Sequence, residues 1–376
     1  MTTFADLQLA EPLLRALTEE GYSEPTPIQA QSIPYLLAGR DLLGLAQTGT
    51  GKTAAFALPI LQHLLTHRRA APPKGARVLV LAPTRELASQ IDESFKSYAR
   101  HMKLTHAVIF GGVGQGRQVE AMRRGVDVLV AAPGRLLDLM GQGFIDLCDL
   151  EILVLDEADR MLDMGFVRDI KRIVAVLPRE RQTLLFSATM PHSITELAGS
   201  LLRDPAKVEV TPPSSTVDRI RQVVMFVEPE QKKDALLLLL ESPKVVRSVV
   251  FTLLKHEANK VAEFLNKNGI TAEAIHGNKS QGARERAMSG FRSGSVKVLV
   301  ATDIAARGID VDEVSHVFNY DLPNIPESYV HRIGRTARAG REGWAVSFCD
   351  PEQRAWLKDI ERTIGKSVPV VRDHPY

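Results

Sequence analysis

The chain has 376 residues, of which 44% are hydrophobic and 24% are charged, and its formal net charge is +2. This length predicts two domains, and the small net charge means that any affinity for nucleic acid must come from local basic patches and backbone amides. No apolar run reaches the about 18 residues of a membrane-spanning helix, and residues 1–6 lack the pattern of a secretory signal. The two cysteines, Cys148 and Cys349, lie in different predicted domains, so the sequence predicts neither a disulfide framework nor a metal site. A reducing cytoplasm is therefore the expected location.

A glycine-rich segment, residues 46–53, lies between a predicted strand at residues 42–45 and a predicted helix from residue 54. This context is typical of a phosphate-binding P-loop, although Ala46 stands where the general pattern has glycine. Backbone N–H groups and the helix dipole would face the phosphates. Lys52 would reach the outer phosphates, and Thr53 would hold Mg²⁺ with its hydroxyl group. The alternative is a chance glycine-rich turn.

An acidic cluster, Asp156, Glu157 and Asp159, follows an apolar run at residues 151–155 that is typical of a buried parallel strand. Open α/β sheets bind their ligands at the carboxyl ends of the strands. Beside a P-loop, these carboxylates suit Mg²⁺ binding and the activation of a water molecule. The alternative is an acidic helix start that the helix dipole stabilises.

The chain repeats one pattern, an apolar run of strand length followed by a polar signature. The pattern lapses after Pro205, where residues 211–216 are typical of a linker, and then restarts. Alternating strands and helices predict an α/β fold with two mainly parallel sheets, each with helices on both faces, that form a cleft. The predicted boundaries are residues 1–207 for the first domain, 208–218 for the linker and 219–376 for the second domain.

Several strand ends offer hydroxyl, glycine N–H and guanidinium groups, more than one nucleotide would occupy. In the first domain these are Thr84, Arg85, Gly112, Gly134 and Arg135. Such groups hold phosphates and sugars and position a nucleic-acid strand without reading its sequence. Taken singly, Thr84 is as easily a helix N-cap and the glycines are as easily turns. Taken as a set at one edge of a sheet, they favour a bound ligand.

Three arginines of the second half, Arg332, Arg335 and Arg338, are spaced three residues apart. On a predicted helix this spacing puts them on one face. They would then either form a solvated basic helix that pairs with nearby acids or, given the P-loop, reach across a cleft to the γ-phosphate.

The motifs resemble, in their order, those of the DEAD-box ATP-dependent RNA helicases of superfamily two, from about Phe4 to the end of the chain. The segments at residues 111–116 and 276–281 are similar to the bacterial RhlE-type subgroup. The resemblance implies two tandem RecA-like domains joined by a short linker, with ATP and Mg²⁺ as cofactors. It also implies local, non-processive unwinding or remodelling of short RNA duplexes and ribonucleoproteins, coupled to RNA-stimulated ATP hydrolysis. The implied partners are single-stranded and short duplex RNA, bound with tolerance of sequence, and ribosome-assembly or RNA-decay complexes.

Residue roles follow from the same resemblance. Gln29 would bond the adenine edge and Tyr22 would stack on it, with Phe4 in support, which implies ATP rather than GTP. Catalysis is implied for Lys52, Glu157, His331 and two arginine fingers, Arg335 and Arg338. Nucleotide contacts are implied for Phe4, Tyr22, Gln29, Thr48, Gly49, Thr50, Gly51, Lys52, Thr53 and Asp303, and metal contacts for Thr53 and Asp156. RNA contacts or coupling between the two sites are implied for Thr84, Arg85, Gly112, Gly134, Arg135, Asp159, Ser187, Thr189, Gly277, Arg284, Thr302, Gly308 and Asp310.

Three positions depart from the family pattern: Ala132 replaces the usual threonine, Leu253-Leu254 replaces a polar or basic pair, and Ala337 replaces glycine. None of them touches the phosphate chemistry, so ATP hydrolysis is more firmly expected than strong unwinding. Other functions stay open at this point. They are an ATP-gated RNA clamp, a DNA translocase, against which the Ser187-Ala188-Thr189 string argues, and a small-molecule P-loop kinase, which would leave the second half unexplained.

Overall fold

The computed structural model describes residues 3–47, 49–210, 220–306, 314–337 and 342–376, apart from the side chains of Ile304 and Ala306. The chain divides into two compact units, Met1–Thr211 and Pro212–Tyr376. Four predicted site residues, Thr48, Gly308, Asp310 and Arg338, lie outside the described residues, as does most of the predicted linker.

The first unit contains a seven-stranded sheet of order β3-β4-β2-β5-β6-β1-β7, in which every pair of neighbouring strands is parallel. Its strands are β1 Leu42–Leu45, β2 Ala76–Leu81, β3 His106–Ile109, β4 Val126–Ala131, β5 Ile152–Leu155, β6 Gln182–Ser187 and β7 Ala206–Glu209. Its helices are α1 Glu11–Glu19, α2 Pro27–Leu37, α3 Lys52–Thr66, α4 Arg85–Tyr98, α5 Gly116–Met122, α6 Pro133–Gly141, α7 Ala158–Asp163, α8 Val167–Val174 and α9 His192–Leu201, preceded by a 3-10 turn at Ala5–Leu7.

The second unit contains a six-stranded parallel sheet of order β10-β11-β9-β12-β13-β8. Its strands are β8 Ile220–Phe226, β9 Ser248–Phe251, β10 Ala272–Ile275, β11 Val298–Ala301, β12 His316–Asn319 and β13 Gly343–Cys349. Its helices are α10 Lys232–Leu240, α11 Lys255–Lys267, α12 Gln281–Ser293, α13 Asp303–Ala306, α14 Pro326–Ile333 and α15 Arg354–Ile364, with 3-10 turns at Pro229–Gln231 and Pro351–Gln353.

The central strands are buried on both faces, which is why they read as continuous apolar runs. All six residues of β2 are buried, and its side chains alternate between two hydrophobic clusters. Val78 and Val80 pack in the cluster that includes residues of α1–α4, whereas Leu79 and Leu81 pack in the cluster that includes residues of α5–α9. The predicted fold class, two parallel sheets with helices on both faces, is therefore confirmed. Among the described residues, no helix combines the length and the apolar composition needed to cross a lipid bilayer.

The predicted end of the first domain at residue 207 is too early. Strand β7 runs to Glu209 and pairs in register with β1, so this boundary falls inside a strand. Ala206 and Val208 are buried whereas Lys207 and Glu209 are exposed, which is the alternation of a sheet edge. Four residues with two apolar positions are too short to show that period in the sequence.

Gly44 of β1 provides a test of how tightly the strand before the P-loop is packed. A Cβ atom at this position would lie 2.5 Å from Cδ1 of Phe186, which is fully buried. We expect Gly44→Ala to lower the free energy of unfolding by about 1–3 kcal/mol, because a close-packed core resists an added methyl group. Gly199→Ala is the matched control. Gly199 is an exposed position of α9, where a Cβ would meet no described atom within 4 Å, and this substitution should raise stability slightly. Thermal and denaturant unfolding measure both, and equal effects would contradict the prediction.

Candidate functional site

The P-loop joins the carboxyl end of β1 to the start of α3 through glycines with positive φ, 84° at Gly49 and 90° at Gly51. Lys52, the first residue of α3, is 6% exposed, and its Nζ donates a hydrogen bond of 2.8 Å to the carbonyl oxygen of Ala46. Thr50 Oγ1 donates to the carbonyl oxygen of Gln47 at 2.8 Å. In this structure the lysine is therefore held by the loop that would deliver it to a phosphate.

Gln29 connects the start of α2 to the P-loop. Its Oε1 accepts from the backbone N–H of Thr26 at 2.9 Å, and its Nε2 donates to the carbonyl oxygen of Gly51 at 3.1 Å. A Cβ at Gly51 would lie 2.5 Å from the same Nε2, so this position requires glycine for space as well as for its positive φ. The sequence pointed to Gln29 only through the family resemblance, and its contact with the loop was not foreseen.

The other two proposed adenine residues lie in different environments. Tyr22 is 41% exposed, and its ring is 6.2 Å from that of Tyr98 at an angle of 56°. Phe4 is 5% exposed and belongs to the hydrophobic core of the first unit. The exposed ring of Tyr22 thus has a surface on which a base can stack, whereas Phe4 is buried and can act only by packing in the core.

The acidic cluster is buried at the carboxyl end of β5. Asp156 is 2% exposed, and its Oδ1 accepts from the backbone N–H of Glu157 at 2.9 Å. Burial, partly opposed by the Lys52 charge, raises the pKa of Asp156 to about 6. Glu157 has a φ of 53°, an unusual left-handed conformation for a non-glycine residue. Because this backbone conformation is strained, a carboxylate that the fold keeps there, in a candidate nucleotide site, is a candidate for a catalytic role.

Arg160, which the sequence did not single out, holds the Glu157 carboxylate. Its Nη1 donates to Glu157 Oε2 at 2.7 Å, and the two side chains are 2% and 6% exposed. The spacing of three residues, from the N-cap of α7 to a residue in its first turn, is the signal that could have suggested the pair. The orientation of the proposed base is therefore set by a buried ion pair.

Asp159 connects the acidic cluster to the end of β6, as expected for a coupling residue. Its Oδ2 accepts three hydrogen bonds, from the backbone N–H of Ala188 at 3.2 Å and from both N–H and Oγ1 of Thr189 at 3.0 Å. Ser187 Oγ donates to the carbonyl oxygen of Thr189 at 2.7 Å. The structure therefore places Asp159 in hydrogen-bond contact with Ala188 and Thr189, while the coupling role of these residues stays a prediction.

The proposed RNA contacts of the first unit lie at the carboxyl ends of β2, β3 and β4. Thr84 caps α4 by accepting from the backbone N–H of Leu87 at 3.2 Å, so the capping alternative is correct for its side chain. The Arg85 guanidinium lies over Gly112, in the space that a Cβ there would need. Arg135 Nη1 donates to the carbonyl oxygen of Val113 at 3.2 Å. The sheet order therefore separates the RNA candidates at β3, β4 and β2 from the nucleotide candidates at β5, β6 and β1.

In the second unit, the candidates again lie at strand ends. Thr302, at 7% exposed, follows β11, and Arg284, at 8% exposed, lies on α12. Gly277 follows β10, and a Cβ there would lie 3.7 Å from Nζ of Lys255, which donates to Asn278 Oδ1 at 3.0 Å. Lys255 was missed in the sequence. It places a cation next to Leu253-Leu254, where the family pattern has its polar or basic pair.

The prediction that the arginine row lies on one helical face is wrong. Helix α14 ends at Ile333, so Arg335 lies beyond it, 4% exposed, with Nε donating to the His331 carbonyl oxygen at 3.3 Å. Arg332 is 1% exposed and points at Asp303, with Nε–Oδ1 at 2.5 Å and Nη2–Oδ2 at 2.7 Å. Beyond Ile333 the chain tightens into i,i+3 hydrogen bonds, with Arg335 N–H donating to the Arg332 carbonyl oxygen and Thr336 N–H to that of Ile333, both at 3.1 Å. Arg332 can be buried because its charge is paired with that of Asp303.

Two parallel-sheet domains, the first with a P-loop and buried acidic residues on one sheet edge, define a P-loop nucleoside-triphosphate hydrolase of two RecA-like domains. The chain matches the family model of the DEAD/DEAH box helicases over residues 26–197 and that of the helicase conserved C-terminal domain over residues 231–340.

Similarity to individual relatives identifies the family within this class of nucleoside-triphosphate hydrolases. The chain is 44% identical over 368 residues to the DEAD-box ATP-dependent RNA helicase CshA of Bacillus cereus, covering 98% of this chain and 69% of CshA. It is 45% identical over 371 residues to the ATP-dependent RNA helicase DeaD of Escherichia coli, covering 98% and 58%. The chain belongs to the DEAD-box ATP-dependent RNA helicases and is an RNA-dependent ATPase that uses ATP. The RhlE-type subgroup stays a prediction.

Solved structures agree with this family. Saccharomyces cerevisiae Dbp5 bound to RNA and ADP BeF3 matches with a TM-score of 0.87 and 34% identity, covering 99% of this chain and 96% of Dbp5. The DEAD-box helicase Mss116 bound to ssRNA and UDP-BeF matches with a TM-score of 0.89 and 26% identity, covering 100% and 81%.

The raised pKa of Asp156 predicts a gain in stability on removing its charge. Because the folded-state pKa of about 6 exceeds the ordinary 3.8, ionisation costs nothing below pH 4 and its full amount well above pH 6. We expect Asp156→Asn to stabilise the nucleotide-free protein by about 3 kcal/mol at pH 8, and by progressively less as the pH falls from 7 to 5. Asp138→Asn, at a carboxylate 49% exposed, is the control and should change stability little. A gain independent of pH would contradict this assignment.

Proposed function

We propose that the chain couples RNA-stimulated ATP hydrolysis to local, non-processive opening of short RNA duplexes and to remodelling of ribonucleoproteins. One observation supports this most strongly. The carboxyl edge of the first sheet holds the nucleotide candidates at β5, β6 and β1 and the RNA candidates at the adjacent β3, β4 and β2. The two halves meet where β2 and β5 pair as neighbouring strands, so occupation of one half can influence the other across a short distance.

For the nucleotide, Lys52 would leave the Ala46 carbonyl for the outer phosphates, and Gln29 would contact the adenine while holding Gly51. Glu157, positioned by Arg160, would orient or activate the attacking water. Mg²⁺, which neutralises phosphate charge, would lie near Thr53 and Asp156. In the part of the chain that the structure describes, no group of three or more His, Cys, Asp or Glu side chains could hold a metal alone. Buried Asp156 fits a site that phosphate oxygens and water complete.

We further propose that ATP and RNA together draw the two domains into a closed state. Arg335 and Arg338 would then reach the γ-phosphate, so hydrolysis waits for RNA. His331 would link these arginines to the first domain. Asp303 would contact the nucleotide with the lone pairs that Arg332 leaves available, and Gly308 and Asp310 would help to couple the two sites.

For RNA, the strand-end groups would hold phosphates and 2′-hydroxyls, which makes binding selective for RNA and tolerant of sequence. The structures of Dbp5 bound to RNA and of Mss116 bound to ssRNA support this. One strand bent in the closed state would have to leave its partner, so short duplexes open locally. We also infer action in the cytoplasm on single-stranded or short duplex RNA, in ribosome-assembly or RNA-decay complexes.

An ATP-gated RNA clamp with little unwinding is the second candidate. Leu254, at the N-cap position of α11, is 55% exposed, so an apolar side chain lies where the family pattern has a polar or basic one. Weaker grip by the second domain would favour holding over strand separation. A long RNA-bound lifetime with negligible strand separation would support the clamp.

The deciding experiment is steady-state ATP hydrolysis without nucleic acid, with single-stranded RNA and with DNA of matched sequence. We expect stimulation by RNA and little by DNA, because 2′-hydroxyl contacts distinguish the two. Equal stimulation by both would favour a DNA translocase. Absent stimulation would overturn the RNA assignment of the strand-end groups.

Single substitutions test the assigned roles. Lys52→Ala and Glu157→Gln should each lower the RNA-stimulated rate by at least about a hundredfold, because each removes a group that acts on the reacting phosphate or water. Arg335→Ala should lower the rate similarly yet spare ATP binding, measured with a fluorescent ATP analogue. Near-normal turnover in the first two variants would disprove the site, and loss of nucleotide binding in the third would make Arg335 a structural residue.

A further inference from the structure

The first unit has a second polar site, at the amino-terminal edge of its sheet. A cavity of about 810 Å³ opens where the chain enters β2, β3 and β4. Since the strands are parallel and β4 has six residues, this edge lies about 20 Å from the strand ends that hold the nucleotide and RNA candidates. None of the residues assigned above lines this cavity.

The cavity is strongly basic. Its cationic lining residues are Arg68, Arg69, Arg77, Lys103 and Arg124, its lining also includes His101, and its acidic lining residue is Asp127. Some of these charges are already compensated. Glu151 accepts from Arg77 at 2.6 Å and from Arg69 at 2.7 Å, and His101 lies 2.9 Å from Glu19.

Three cations are not compensated. Within the described residues, Lys103 and Arg124 have no hydrogen bond or ion pair, and Arg68 donates only to the carbonyl oxygen of Leu65 at 3.3 Å. All three are exposed and surround one concave site. Clustered cations repel one another, and an anion between them relieves that repulsion.

The wall of the cavity is apolar, with Leu64, Met102 and Leu104 among its residues. A volume of this size holds a nucleotide-sized ligand. Unpaired bases stack on aromatic rings, histidine included, and on arginine planes, while their phosphates need cations. His101 and the arginines of this cavity offer such surfaces beside the apolar wall. The cavity therefore matches a nucleotide unit of RNA better than it matches a bare inorganic anion.

We propose that this cavity is an accessory RNA site that takes an unpaired nucleotide of the same RNA whose other part occupies the strand-end groups. Arg68, Lys103 and Arg124 would hold the phosphates, and the apolar wall would hold the base. The proposal rests on RNA being the substrate. The proposal specifies the substrate as RNA that is long enough to span the about 20 Å from the carboxyl edge of the sheet to this cavity.

RNA length separates the two sites in the test. An RNA of about 6 nucleotides fills the strand-end groups alone, whereas one of about 20 nucleotides reaches the cavity. For Arg68→Glu combined with Arg124→Glu, we expect affinity for the long RNA to fall at least about tenfold and its salt slope to fall by about 1.4. ATP hydrolysis stimulated by the short RNA should stay at the wild-type rate.

Arg123→Glu is the matched control for Arg124→Glu. Arg123 is adjacent and exposed but lies outside the cavity, paired with Glu120 at 3.1 Å. An equal loss of long-RNA affinity in both single variants would show that the loss follows from the changed net charge alone, and would overturn the proposal. Unchanged long-RNA binding in the double variant would also overturn it, leaving the cations to another anion such as an acidic protein.

Photocrosslinking locates the contact directly. Long RNA carrying 4-thiouridine should crosslink to the segment at residues 101–104 in the wild type and not in the double variant. No crosslink there in the wild type would overturn the proposal. If the short RNA fails to stimulate the wild-type ATPase, the proposed function fails instead, and the two failures are thereby distinguished.

Discussion

Every strand in the described part of both sheets is parallel to its neighbours, and this constraint places the chemistry. A parallel sheet brings all its carboxyl ends to one edge, where each strand stops and its backbone turns towards a helix. Residues as distant in sequence as Lys52 and Asp156 meet there because β1 and β5 both flank β6. The helices on both faces bury the strands, so the sheet can serve as a rigid base for that edge.

Several charged side chains are buried at the same edge, and the burial of a charge costs free energy of desolvation. Lys52, Asp156, Glu157 and Arg160 are each at most 6% exposed. The charges of Glu157 and Arg160 balance each other, whereas the raised pKa of Asp156 reflects an incompletely compensated charge. A fold selected for stability alone would put apolar side chains here. Retaining a strained, partly compensated cluster makes physical sense where a ligand completes it.

The sequence was sufficient for what depends on local pattern. Apolar runs predicted strands such as β1 and β5, and the P-loop string predicted the helix α3 that follows it. Buried strands and glycine-rich turns both have recognisable local sequence patterns. It failed where a partner lies far along the chain. Nothing near Arg332 in the sequence indicates that Asp303 pairs with it, nor that the helix on which the arginine row was expected to continue ends at Ile333. The Gln29 contact with Gly51 was hidden for the same reason.

The two edges of the first sheet hold their cations in different ways, and this difference has functional consequences. At the carboxyl edge, Lys52 is bound to the Ala46 carbonyl and Arg160 to Glu157, so a ligand that uses Lys52 must replace a contact already made. Binding there is conditional, as a gate requires. At the amino-terminal edge, Lys103 and Arg124 have no partner to give up among the described residues. An anion binds such cations without breaking a contact, which suits this edge to the proposed accessory site, whereas a phosphate at the opposite edge must first displace the Ala46 carbonyl oxygen from Lys52.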